Sequence, residues 1–123
     1  MLTILFLIIA AVGKAIMDTL QFHYGNSCFS KLKKQNWWNP SISWKNKYKN
    51  NNPDEGSKFF GSTTIFVWTT DAWHFFQMIF LSTFFLGIVF YSPMFTFEYS
   101  WIIDFIIYRI IFGFIFSLSF KIL

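Results

Sequence analysis

The stretch from Phe75 to Tyr91, FFQMIFLSTFFLGIVFY, decides what this chain can become. It is a run of large apolar side chains without a single charge, and a second apolar run, WIIDFIIYRIIFGFIFSLSF, interrupted only by the charged Asp104 and Arg109, fills residues 101 to 120. A water-soluble core built from 123 residues has no room for 19 phenylalanines. A bilayer solvates them directly, and a helix needs about 20 apolar residues to cross its hydrocarbon layer. Hydrophobic residues make up 54% of the chain and charged residues 13%, about half the charged share of an ordinary soluble domain. The expected class is an all-α integral membrane protein of one domain, 1–123.

Three membrane helices are expected. The first covers 2–23, where LTILFLIIAAVGKAIM continues through DTLQFH. It looks like the apolar part of a secretory signal, but no basic stretch comes before it, so it reads as a retained helix with Lys14 snorkelling to the nearer surface. Gly25 and Asn26 stop it. The second covers 62–91, with Ser62 as its cap after Gly61. Some thirty residues rise about 45 Å, more than the ~30 Å hydrocarbon layer, so this helix must tilt or protrude. The third covers 101–121 and closes at Lys121; a short connection at 92–100, marked by Pro93, precedes it. No internal repeat or heptad is present.

Residues 26–61 are a different material, NSCFSKLKKQNWWNPSISWKNKYKNNNPDEGSKFFG. Lys31, Lys33, Lys34, Lys45, Lys47, Lys49 and Lys58 face only Asp54 and Glu55, an excess above the +4 of the whole chain. NNNPDEG reads as a turn, and SCFSKLKK as a short interfacial helix. Basic residues near membrane ends stay on the cytoplasmic or matrix side. The loop and carboxyl terminus are therefore expected inside and the amino terminus outside, in a bacterial or organellar inner membrane. Trp37, Trp38, Trp44 and Tyr48, interleaved with Lys45, Lys47 and Lys49, read as headgroup contacts on anionic lipid. Stacking on nucleic acid needs the same residue types, but membrane spans flank this loop on both sides. The lone Cys28 excludes an internal disulfide and a cysteine-based zinc module.

The polar residues inside the spans need explaining. Asp71 and His74 are three apart and share a helix face, with Gln77 at its edge. Lys14 and Asp18 are four apart, with Gln21 near the same line and the small Ala11 and Ala15 beside it. The two faces are expected to meet, forming a cluster of Lys14, Asp18, Gln21, Asp71, His74 and Gln77 at the inner boundary that fixes helix registry, since charges within a membrane face protein, water or each other.

Two other readings compete for these residues. His23, His74, Asp71 and Asp18 carry metal- or haem-ligating groups, but Asp18 and His23 lie about 140° apart around a helix. Lys14 opposes a cation, and no HExxH, ExxH pair or haem-attachment motif is present. An Asp–His pair also suits proton relay, although the outer halves of the first two spans are almost wholly apolar.

In the third span Asp104 lies near the outer surface with Tyr108 one turn on. Arg109 sits near the middle, where charge costs most, with no carboxylate expected at its depth; it is expected either to snorkel with local water or to find its partner on another subunit or an anionic lipid. No GxSxG, P-loop or GxGxxG sequence occurs. The expected function is a small, non-catalytic membrane subunit within a larger complex. Its partners would be other membrane subunits and lipids with anionic headgroups, with no nucleic acid and no cofactor. The alternatives are a metal- or haem-binding membrane enzyme or redox protein, and an oligomeric proton or ion conductor.

Overall fold

In lipid a backbone has no water to bond, so each apolar run must satisfy its own N–H and C=O groups as a helix. The computed structural model describes residues 2–91, 93, 97–98 and 100–123. Its α-helices are α1 (Leu2–Phe22), α2 (Gln35–Trp38), α3 (Pro40–Ser43), α4 (Ala72–Val89) and α5 (Ser100–Ile122). Of these, α1, α4 and α5 are long and apolar enough to cross a membrane. α4 runs antiparallel to α1: Thr3 at the start of α1 donates to the Phe90 carbonyl just past the end of α4, at 2.8 Å. α5 runs parallel to α1, and its end returns to the loop, where the Cys28 N–H donates to the Leu123 carbonyl at 2.9 Å.

α1 is the axis of the bundle. It packs against both α4 and α5, whereas α4 and α5 barely touch each other among the described residues. In α1, 44% of the spanning residues are buried, against 11% in α4 and 6% in α5. Small residues make this possible. Ala10, Ala11 and Ala15 are fully buried. At Gly13 an added Cβ would stand 3.5 Å from the Phe76 carbonyl oxygen and the Phe80 nitrogen of α4. At Gly87 of α4 it would stand 3.6 Å from the Phe6 Cβ of α1. Where lipid competes for every apolar contact, such close backbone approach is what holds helices together.

The second span is shorter than the expected 62–91. Its helix begins at Ala72; residues 61–70 form turns, with a 3₁₀ turn at Val67–Thr69. The reason is the run Thr63, Thr64, Ile65, Val67, Thr69 and Thr70. β-Branched side chains lose rotamer freedom in a helix, and threonine hydroxyls offer carbonyls a local partner. Thr69 donates to the Phe66 carbonyl at 2.8 Å and Thr70 to the Val67 carbonyl at 2.7 Å. Ser62 caps no helix; it is buried, and its hydroxyl donates to the Lys47 carbonyl at 2.7 Å. The 18 residues that remain in α4 rise about 27 Å, so the excess length anticipated for this span disappears. Most of the expected 92–100 connection lies outside the described residues.

The basic segment folds as a cap under one end of the bundle, the loop end. SCFSKLKK is not an interfacial helix: Cys28–Lys31 makes one 3₁₀ turn. Asn39 caps α3 by accepting the Ser41 N–H at 3.0 Å, with Pro40 in the first turn. The NNNPDEG turn is closed by Lys49 N–H to Gly56 and Lys58 N–H to Lys47, both at 3.0 Å. Trp38 stacks on Phe29 (5.1 Å between rings, 14°) and approaches Phe76, while Trp37 approaches Phe75. Both tryptophans therefore fold inward onto the first turns of α4. They pack against an apolar plug around Ile16, Leu20, Phe29 and Ala72 and stay partly exposed.

The seam makes a graded prediction. Gly13→Ala adds a methyl at ordinary contact distance and should leave stability nearly unchanged, whereas Gly13→Leu should cost about 1–3 kcal/mol through overpacking. The thermal midpoint of the full chain in mild detergent reads both; equal behaviour of the two variants would contradict the seam.

Candidate functional site

The polar residues of the spans gather in three places, not in one cluster. The first is the start of α4. Asp71 is extended (φ −157°, ψ 163°) and is the helix cap. One carboxylate oxygen accepts the His74 backbone N–H at 3.0 Å. The other lies 2.7 Å from His74 Nδ1 and accepts the Thr70 hydroxyl at 3.2 Å. Only 2% of Asp71 is exposed. A carboxylate at this position meets the positive end of the helix as well as its unpaired N–H groups.

The Asp71–His74 pairing is therefore local to one helix, a consequence of where the helix starts. The carboxylate accepts an N–H from Nδ1, which leaves Nε2 as the ring nitrogen turned away from Asp71. Trp73 stands edge-on to this ring at 5.1 Å. A cavity of about 270 Å³ opens beside the pair, lined also by Gln21, Pro40, Ser43 and Trp44.

The second place is the α1–α5 interface near mid-span. Lys14 pairs with Asp18 on α1 itself, and Lys14 Nζ stands 5.9 Å over the Phe116 ring of α5. Lys14, Asp18, Arg109, Phe112 and Phe116 share a cavity of about 210 Å³. The helical phase explains the split: Gly13 faces α4, so Lys14 and Asp18 turn towards α5. Among the described residues, no hydrogen bond or ion pair joins Lys14 or Asp18 to Asp71, His74 or Gln77. The expected single cluster is thus divided, with Gln21 beside Asp71 and Gln77 half-buried on α4. Arg109, exposed on α5, has no hydrogen-bond or ion-pair partner among the described residues.

The third place is the far end, and it ties all three spans together. Asp104 is 1% exposed and accepts the Tyr91 hydroxyl at 2.6 Å. Tyr108 packs edge-on to Tyr91 (6.1 Å, 86°) and shares a side-chain hydrogen bond with Thr3. Thr3 in turn holds the Phe90 carbonyl. Asp104 is therefore shielded from solvent, with the Tyr91 hydroxyl as a donor to it. Sequence reasoning missed Thr3 and Tyr91. Their signal was position: once α1 and α4 are antiparallel, a threonine opening one and a tyrosine ending the other fall level with Asp104.

His23 and His74 are not brought together. His23 stands edge-on to Phe120 of α5 at 5.1 Å, while His74 is engaged by Asp71. Among the described residues no three His, Cys, Asp or Glu side chains converge as a metal would require. On the loop's outer surface, Trp44 and Tyr48 meet edge-on at 6.2 Å. Lys45 lies 5.5 Å over Trp44 and Lys47 lies 5.6 Å over Tyr48; Lys49 is exposed beside them. No protein-family model matches the chain, and no curated protein or solved structure is significantly similar to it.

Two measurements check these sites. Asp71→Ala removes the cap and should cost about 0.5–2 kcal/mol, read as a lowered thermal midpoint; an unchanged midpoint would contradict the capping role. Tyr91, just past the end of α4, is pushed up from 10.0 to about 12, chiefly by its hydrogen bond to Asp104 and then by burial. The protonated phenol is the form that donates, so this tie holds fully below pH 10 and is lost as pH rises through about 12. Ultraviolet titration should show a phenol ionising in that high range, moved back towards 10.0 by Asp104→Asn; no movement would contradict the bond.

Proposed function

We propose that this chain is a small integral membrane subunit that packs within a larger membrane complex and carries out no catalysis of its own. The observation that supports this is Arg109. It stands near the middle of an apolar helix without a hydrogen-bond or ion-pair partner among the described residues, and an intramembrane charge faces protein, water or an opposite charge. The remaining polar groups described above have structural work. Asp71 caps a helix, Asp104 ties α5 to the segment after α4, and Asp18 holds Lys14. In this reading the basic loop faces the cytoplasm or matrix, with the exposed Trp44, Lys45 and Lys49 on anionic headgroups, and the chain needs no cofactor.

Solubilisation of native membranes in a mild detergent, followed by mass spectrometry of intact assemblies and elemental analysis, tests the reading. The expected result is this chain in fixed ratio with other membrane proteins, without stoichiometric metal or haem bound to it. A lone chain, an oligomer of this chain only, or a metal in stoichiometric amount would overturn it.

A further inference from the structure

A groove of about 650 Å³ runs between α4 and α5, floored by Leu7 of α1 and walled by Phe80, Phe84, Phe105 and Phe112, with Arg109 at its edge. We propose that this groove seats a transmembrane helix of a partner chain, and that this helix carries one carboxylate at the depth of Arg109. The proposal rests on the subunit reading and names the partner's chemistry and its seat.

The shape comes first. α1 touches both of its neighbours, but α4 and α5 diverge, so the bundle has two apolar walls and a floor without a third wall. Polar groups in the groove are few. The Tyr91 hydroxyl is committed to Asp104, and Tyr108 is bonded to Thr3. Arg109 alone presents polar capacity that the described residues do not use. The helix also leaves room for it: a Cβ on Gly113, one turn further on, would stand 3.3 Å from the guanidinium.

Charge then selects the occupant. Lys14 and Arg109 share the mid-span cavity with a single carboxylate, Asp18, so this part of the bundle carries one positive charge in excess. A second copy of this chain does not answer it. Asp18, Asp71 and Asp104 are the acidic residues of the spans, and each is engaged within its own chain. A phospholipid phosphate sits at the membrane surface, about 15 Å from the middle of the hydrocarbon layer. Arg109 is about 14 Å along α5 from Ser100, close to that middle. An acidic residue in a helix sits at whatever depth its sequence places it, and can meet the guanidinium in two parallel hydrogen bonds.

The test uses the full chain, labelled on its exposed single cysteine, Cys28, in phosphatidylcholine vesicles. The probe is a lysine-flanked, leucine-rich transmembrane peptide carrying an acceptor dye and one central Glu, with a Gln peptide as control. Energy transfer should show the Glu peptide associating about tenfold more tightly, the size of one good polar contact between membrane helices. Arg109→Gln should abolish that preference. Ile88→Trp should reduce it by filling the groove from an exposed position that leaves Arg109 in place.

Equal binding of the two peptides, a Glu preference that persists in Arg109→Gln, or one that Ile88→Trp leaves undiminished would overturn the proposal. Displacement of the Glu peptide by an equal amount of oleate would assign the groove to a free lipid carboxylate and overturn it as well. The subunit reading fails separately, through a chain that purifies alone. A native complex that Arg109→Gln leaves intact, together with no peptide preference, keeps that reading and sinks the groove.

Discussion

Everything in this bundle depends on how closely α1 can approach its neighbours. Inside lipid there is no hydrophobic gain in pressing one apolar helix against another, so contact must come from dense packing and from polar bonds that lipid cannot make. Small residues on two faces of α1 supply the first, Ala10 with Gly13 on one and Ala11 with Ala15 on the other. Gly13 lets the backbone of α4 come within van der Waals distance, and Gly87, in the last turn of α4, does the same against Phe6 near the start of α1. The phenylalanines then have nowhere inward to go. They remain on the outer surfaces of α4 and α5, where Phe85, Phe105 and Phe114 are each at least 60% exposed, the arrangement a hydrocarbon solvent rewards.

Polar bonds supply the second contribution, and they sit mainly at the ends. At the far end Thr3, Tyr91, Asp104 and Tyr108 join three helices, with Thr3 and Asp104 buried at the centre of the network. At the loop end the cap from residues 23–70 uses backbone bonds and the Trp37, Trp38 and Phe29 rings to close the bundle. A hydrogen bond at either level is strengthened by its low-dielectric setting, and its loss would leave an unpaired polar group there. Mid-span the picture changes: Lys14 and Asp18 neutralise each other on one helix, and Arg109 is the charge left over. The polar groups are thus paired at both ends of the bundle, and the mid-span guanidinium is what the proposed partner helix would answer.

The three apolar segments were readable from hydropathy because a bilayer imposes one requirement, about 20 apolar residues, on any sequence that crosses it. The small residues of α1 were half readable. Ala11 and Ala15 stood out near Lys14, while Gly13 escaped notice because a glycine inside an apolar run carries no periodic signal. The start of α4 was misplaced by ten residues, since TTIFVWTT is apolar enough to extend a helix but too β-branched to form one. Asp71, which marks the true start, drew attention as a charge instead of as a cap. The cross-helix cluster did not form because which face of α1 meets α4 depends on Gly13, not on the charged residues. Arg109 was legible throughout, because charge in the middle of an apolar run needs no structure to be conspicuous.

The claim that α1 is the protected axis of a lipid-immersed bundle can be tested residue by residue. Nitroxide labels placed one at a time at Ala11, Ala15, Phe85, Phe105 and Phe114, in a Cys28→Ser background in vesicles, report collisions with oxygen, which concentrates in lipid, and with a water-soluble nickel chelate. The account predicts high oxygen and low chelate access at the three phenylalanine positions, and low access to both at the two alanines. Chelate access at the phenylalanines, or alanine positions as open to oxygen as the rest, would contradict it.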